Sequence, residues 1–474
     1  MIRLLAGATA SGLLAVLLTG CATTAPPAAP APARQVAPPA AGIEIPVEYY
    51  RLDNGLRVVL SRDDSMPTVT VGVYYHIGFR IEPEGRTGFA HLFEHLMFQG
   101  SANLGKMEFI RLVEGNGGLL NGSTRFDHTN YYQVVPAHTL ETILWAEADR
   151  MRGLAITQEN LVNQQGVVKN EVKVNVLNQP YGGFPWLNMP QYANESWFNA
   201  HNFYGDLEDL DAATLEDVQS FFDTYYAPGN AVLVLAGDFD PAQARAWIDR
   251  YFGAVPGRPV TGLPDVSEPR QEREKRHAYV DPLAPRPALA LAWHVPARGT
   301  PEHFAFGLID QMLLQGEDSA LWQRLVQQKG YTDSVWGGIN LLGNMFNYAG
   351  PMLWTFSLLH DPAVSTEQVV SEVDAVIARL REAPPDAADL QRALTKIRAD
   401  LYGVAGSSDR FGLVDLLASF ALFDDDPARI NRIEQEFRAV TPELIGRVAR
   451  EYLRDTNRTV LVVEPGQTAA GGPP

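Results

Sequence analysis

The chain has 474 residues, 46% hydrophobic and 20% charged, with a formal net charge of −18. Length and composition leave room for two or more globular domains and exclude a disordered or fibrous chain. The acidity excludes nucleic acid and anionic lipid surfaces as main partners, because the average field repels both.

The first predicted element is a leader: Arg3, the apolar stretch "LLAGATASGLLAVLLTG", then Cys21. A short positive region before an apolar core of this length reads as a secretory signal peptide over residues 1–20. Nothing later approaches the ~20 apolar residues of a membrane span. Cys21 is the sole cysteine, which excludes an internal disulfide. It closes "LTGC" (Leu18 to Cys21), which resembles the bacterial lipobox, where the thiol is diacylated after cleavage. Residues 22–42, "ATTAPPAAPAPARQVAPPAAG", cannot bury a core and read as a semi-rigid tether of ~60 Å at about 3.1 Å per residue. Ala22 after the cysteine resembles lipoproteins sorted to the outer membrane. The expected location is therefore its periplasmic face, with the membrane held by the lipid anchor alone.

Strands and helices alternate from Val47 to about Glu464. "GLRVVLSRD" and "PTVTVGVYYHIG" are enriched as strands are, whereas "ALWQRLVQQKG" and "DLQRALTKIRADL" have helical spacing. Two segments align without a gap, "TLEDVQSFFDTYYAPGNAVLVLAG" from Thr214 and "TPELIGRVAREYLRDTNRTVLVVE" from Thr441. Each predicts a Thr-capped amphipathic helix, a turn with Asn and an apolar strand. Between them "VPGRPVTGLPDVSEPRQEREKR" reads as a linker. The expected organisation is an N-terminal domain over 43–255, a linker over 256–276, a C-terminal domain over 277–465 and a disordered tail over 466–474.

The chemistry concentrates in "HLFEHLMFQG", residues 91–100. Thr87 is placed to cap a helix ending near Gly100. On it His91 and His95 stand at i and i+4, so both imidazoles leave one face, with Glu94 beside them. Apolar residues cover most of the remaining circumference, and burying these three groups without partners would cost several kcal/mol. Two core histidines bonded to carbonyls are one solution; a divalent metal is the other. Imidazole pairs at this spacing suit zinc, and a carboxylate between them is placed to take a proton from metal-bound water. His-x-x-Glu-His is the inverzincin signature. Zinc is expected over manganese or cobalt from the ligand type. His76, His128 and His201 read as ordinary surface or core residues.

The motif resembles that of the M16 metallopeptidases, the pitrilysin and mitochondrial-processing-peptidase group. The resemblance runs through "LDNGLRVVLSRDDSMPTVTVGVYYHIGFRIEPEGRTGFAHLFEHLMFQGS", "GNGGLLNGSTRFDHTNYY" and "PGNAVLVLAGDFD", and is fainter in the second half. It implies an α+β fold of two homologous halves, each a mainly antiparallel sheet covered by helices. It also implies one zinc per chain, with Glu171 in "QQGVVKNEVKVN" as the ligand that completes the shell of His91 and His95, and Glu94 as the base. Peptide substrates would add as a strand to the edge containing Asn121 and Gly122, a mode that reads backbone and suits extended peptides.

Two positions depart from the family pattern. A Glu expected seven residues before the third ligand is Gln164, which can hydrogen-bond behind the ligands but adds no charge. The Arg and Tyr that hold substrate backbone in the second half align with Val326 and Asp333, and neither can donate to an oxyanion. Arg324 and Tyr331 lie two residues away, on other faces of their elements. The expectation is a zinc endopeptidase of the cell envelope that forms a heterodimer with a homologous M16 subunit supplying Arg and Tyr, or failing that a homodimer. A non-catalytic scaffold of the same fold is the alternative.

Overall fold

The computed structural model describes Gly42, residues 44–260 and residues 262–466. The expected signal peptide, the lipidation site Cys21, all of the tether but Gly42, and the tail beyond Gly466 lie outside the described residues. Among those described, no helix is long and apolar enough to cross a membrane.

The first sheet contains β1 (Glu48–Arg51), β2 (Arg57–Arg62), β3 (Thr68–Tyr75), β4 (Leu119–Thr124), β5 (Thr129–Pro136) and β6 (Ala231–Gly237). Their order is β1-β2-β6-β3-β5-β4. The second contains β7 (Lys275–Asp281), β8 (Ala288–His294), β9 (Trp336–Ile339), β10 (Leu353–Leu359) and β11 (Arg458–Pro465), ordered β7-β11-β8-β10-β9. In both, the closing strand, β6 or β11, inserts parallel to β2 or β7 and antiparallel to β3 or β8. With β1 set aside, the two orders are the same, so the fold is α+β with two similar, mainly antiparallel halves. β7 starts at Lys275, so it takes in the last two residues of the expected linker, because Lys275 already pairs with Thr459 on β11.

The repeated segments form as their sequence predicts. Thr214 accepts the Asp217 N–H at the start of the Leu215–Tyr225 helix, and Thr441 accepts the Leu444 N–H before Pro442–Tyr452. Each following turn is tied by its Asn. Asn230 Nδ2 donates to the Tyr225 and His76 carbonyls (2.9 and 3.2 Å), and Asn457 Nδ2 to those of Tyr452 and His294 (2.7 and 3.1 Å). One amide thus satisfies a last-turn carbonyl and anchors it beside the neighbouring strand.

The halves exchange helices. Phe411–Phe423 belongs to the second half by sequence, yet it packs on β2, β3 and β6 of the first sheet. A side chain at Gly72 on β3 would put its Cβ 2.6 Å from Val414 Cγ1, so the close approach requires glycine there. Arg57 Nη1 reaches across from β2 to the carbonyls of Ala421 and Leu422, both at 3.1 Å, near the end of that helix. In return, Asn188–Ala193 of the first half packs Met189 and Ala193 against Ala290, Ala292 and Leu461 of the second sheet.

A buried ion pair pins the halves as well. Arg80 Nε lies 2.9 Å from Asp127 Oδ1, with the side chains 0% and 4% exposed. Arg80 Nη1 donates to the Pro351 carbonyl at 2.7 Å, while Asp127 Oδ2 accepts the Ala349 N–H at 2.8 Å. Arg80→Ala strands a buried carboxylate, and urea unfolding should show a loss of about 3–5 kcal/mol.

Candidate metal centre and peptide-binding edge

The motif helix runs from Phe89 to Leu96 and ends short of Gly100. Thr87 does not cap it. The N-cap is Gly88, left-handed at φ 79°, and the free N–H groups of Gly88 and Ala90 donate to the Glu82 carboxylate at 2.8 and 2.6 Å. Thr87 instead donates its hydroxyl to Asp209 Oδ2 at 2.7 Å. A carboxyl group with two acceptor oxygens serves both N–H groups at once, which a single hydroxyl oxygen does less well. It arrives from the short helix Phe79–Ile81 through the fold, which local spacing does not show.

His91 is 2% exposed, while Glu94 and His95 are half-buried. His91 Nε2 and His95 Nε2 face each other at 3.3 Å. Glu171 comes from the Gln158–Val172 helix, capped by Thr157, and places its oxygens 3.7 Å from His91 Nε2 and 3.3 Å from His95 Nε2. Among the described residues these three form the one group of at least three potential ligands that could share a metal ion.

The fit to zinc can be tested by length. Bonds of about 2.0–2.1 Å at tetrahedral angles set ligand atoms roughly 3.3–3.4 Å apart. Here the two Nε2 atoms are 3.3 Å apart, and Glu171 faces the pair with both oxygens, Oε2 at 3.3 Å from His95 and Oε1 at 3.7 Å from His91. Burial pushes the His91 pKa down to about 3, helped by the neighbouring His95, so its ring stays neutral with a lone pair available. Hydrogen bonding to His95 holds the Glu171 carboxyl below its ordinary range against the opposing effect of burial. A neutral His91 imidazole and an ionised Glu171 carboxylate are protonation states that a zinc site needs.

Other side chains fix this geometry. Tyr204 Oη donates to Glu171 Oε1 at 3.2 Å, and burial raises its pKa to about 12, which keeps the proton on the donor. The Phe203 ring lies 4.6 Å from that of His91. Thr124 Oγ1 donates to Glu94 Oε2 at 2.8 Å. Burial raises the Glu94 pKa, with the Thr124 bond opposing it. No sequence spacing points to Thr124, Phe203 or Tyr204 as neighbours of these groups.

Asn121 and Gly122 lie on β4, the edge strand of the first sheet. A Cβ at Gly122 would come 3.1 Å from Glu94 Cγ, so this edge passes directly beside Glu94. Asn121 Oδ1 accepts the Gly122 N–H at 2.9 Å. Gln164 is buried on the helix of Glu171, where its amide donates to Asn163 Oδ1 at 2.7 Å and to none of the three ligands. In the second half Asp333 is exposed and pairs with Arg286, while Arg324 is committed to Glu372 at 2.5 Å. Val326 is partly buried in the turn after Trp322. His76, His128 and His201 stay outside the metal cluster; His128 is buried and His201 stacks on Trp197.

Comparisons with known proteins give the chain a family. Residues 57–199 match the family model described as Insulinase (Peptidase family M16), and residues 212–397 match Peptidase M16 inactive domain. "Zinc protease PqqE" of Helicobacter pylori is 26% identical over 424 residues, covering 88% of this chain and 93% of that one. A solved protease from H. pylori superposes with a TM-score of 0.81 at 25% identity, over 89% of this chain and all of that chain. The fold also matches the periplasmic protease PqqL of Escherichia coli, at 16% identity and a TM-score of 0.71, across 91% of this chain but 49% of that one. With the two family models matched in order over residues 57–199 and 212–397, and His91, His95 and Glu171 within the first of them, the chain belongs to peptidase family M16.

Proposed function

We propose that this protein is a zinc-dependent endopeptidase that hydrolyses extended peptides in the bacterial cell envelope, as the metal-bearing member of a pair. The observation that carries the reading is the triangle of His91, His95 and Glu171 with Glu94 beside the open edge of β4. His91, His95 and Glu171 would hold the ion. Zinc, when bound, supplies Lewis acidity to water and to the scissile carbonyl.

The remaining chemistry belongs to the chain. Glu94 accepts a proton from the attacking water and returns it to the departing amine, a role that suits a carboxylate whose pKa burial raises. Thr124 holds that carboxylate in place from β4. The same strand offers its free edge to substrate backbone. Tyr204 orients Glu171 so that the ligand keeps one rotamer.

The second half lacks an oxyanion donor at Val326 and Asp333, which supports a homologous partner subunit. The match of this chain to half of a longer protease is consistent with two such units working together. The envelope location and lipid anchor rest on the leader and Cys21. Adding the homologous gene neighbour to the purified, zinc-loaded chain should raise kcat for an unfolded peptide about 10²–10³-fold, the contribution of an oxyanion donor. Equal rates with and without it would remove the partner from the reading.

A further inference from the structure

Buried and half-buried arginines in this protein are held by partners. Arg80 sits on Asp127, Arg298 on Asp424, Arg410 on Asp63 and Arg458 on Glu274. Arg125 differs. It is half-buried, and among the described residues its guanidinium has neither a hydrogen bond nor an ion pair. Its backbone is fixed, by the bond from its N–H to the His128 carbonyl at 2.8 Å and from the Phe79 N–H to its own carbonyl at 3.1 Å. A fixed backbone with an unengaged side chain is how a binding residue waits for its ligand.

Its place is informative. Arg125 directly follows Thr124, the residue that holds Glu94, at the end of the edge strand. With Trp186, Asn344, Phe411 and Asp415 it lines the cleft between the halves. Its charge reaches both Glu94 and Asp415. Asp415 is already occupied, accepting from Asn344, Asn347 and Tyr74 at 3.1, 3.2 and 3.3 Å, and makes no bond to the arginine. A half-buried cation that makes no hydrogen bond or ion pair of its own, on the wall of this cleft in a chain of net charge −18, is free to recognise an anion.

Resting on the peptidase reading, we propose that Arg125 is a specificity-determining residue that binds a carboxylate of the peptide substrate. A peptide added along β4 passes Glu94 at Gly122 and reaches Arg125 three residues on, about 10 Å away at roughly 3.3 Å per residue. The carboxylate therefore lies about three residues from the scissile bond. It belongs to an acidic side chain, or to the substrate's own C-terminus.

The test is peptide binding to the zinc-loaded full chain carrying Glu94→Gln, so that bound peptide is not consumed, read by fluorescence anisotropy. The probes are a labelled neutral peptide, the same peptide with glutamate stepped along it, and each with a free or amidated C-terminus. The favoured glutamate or the free terminus should bind about 10- to 100-fold tighter than neutral peptide, the range of a charge-assisted hydrogen bond. Glutamate dependence assigns the side chain as source, and amidation sensitivity assigns the terminus. Arg125→Gln should erase that advantage with unchanged affinity for neutral peptide and unchanged Tm, and Arg125→Glu should move the preference to lysine. An acidic preference that survives in Arg125→Gln, or neutral and acidic peptides binding equally to the parent, overturns the assignment alone. Failure to bind any peptide overturns the peptidase reading with it.

Discussion

Glu94→Gln is expected to lower kcat by about 10²–10⁴-fold while the protein keeps one zinc per chain, because a positioned base contributes that factor and takes no part in holding the ion. Glutamine preserves the shape and can still accept from Thr124 Oγ1, so the local geometry survives. The measurement pairs single-turnover cleavage with metal content on the same sample. It also separates the enzyme from a scaffold of the same fold: a scaffold has no turnover to lose, and substitution at Glu94 would leave its function as it was. Loss of zinc together with rate would instead make Glu94 a structural part of the site.

Glu171→Ala is expected to show the converse order of events, metal first and rate as its consequence. The carboxylate supplies the third corner of the ligand triangle and comes from a different helix than the histidines. Its removal leaves His91 and His95 as a two-ligand site. Zinc affinity, measured by competition with a chelator, should fall by more than the roughly 10–100-fold seen when a hydrogen-bond partner of a ligand is removed. Tyr204→Phe supplies that comparison in the same protein, since it deletes only the bond to Glu171 Oε1. Equal losses for the two variants would mean that Glu171 does not bind the metal.

Much of this site was legible because helical geometry is local. The i, i+4 spacing puts His91 and His95 on one face whatever surrounds them. The Thr214 and Thr441 caps were readable for the same reason, each bonding to a backbone N–H three residues on. Glu171 required the family resemblance, as nothing local joins it to the motif. What escaped was tertiary. Glu82 replaces Thr87 as the acceptor at the motif helix because the chain folds back through Phe79–Ile81. Phe203 and Tyr204 meet the ligands from a loop whose course no periodicity sets. "FGLVDLLASFALF" is apolar all round, so its sequence gave no face and could not reveal that it would serve the other half's sheet.

That helix exchange bears on how such a protein can be cut and joined. Each half lends the other a wall of its core, so much of the cohesion resides in side-chain packing and in the Arg80 anchor across the seam. The peptide bonds of residues 256–274 are in effect a delivery device, raising the local concentration of two pieces that already recognise each other. A gene split there would yield two chains that must be made together, since each alone leaves one side of its sheet bare. The reverse operation, stringing further halves onto one chain, asks only for a spacer of the right reach.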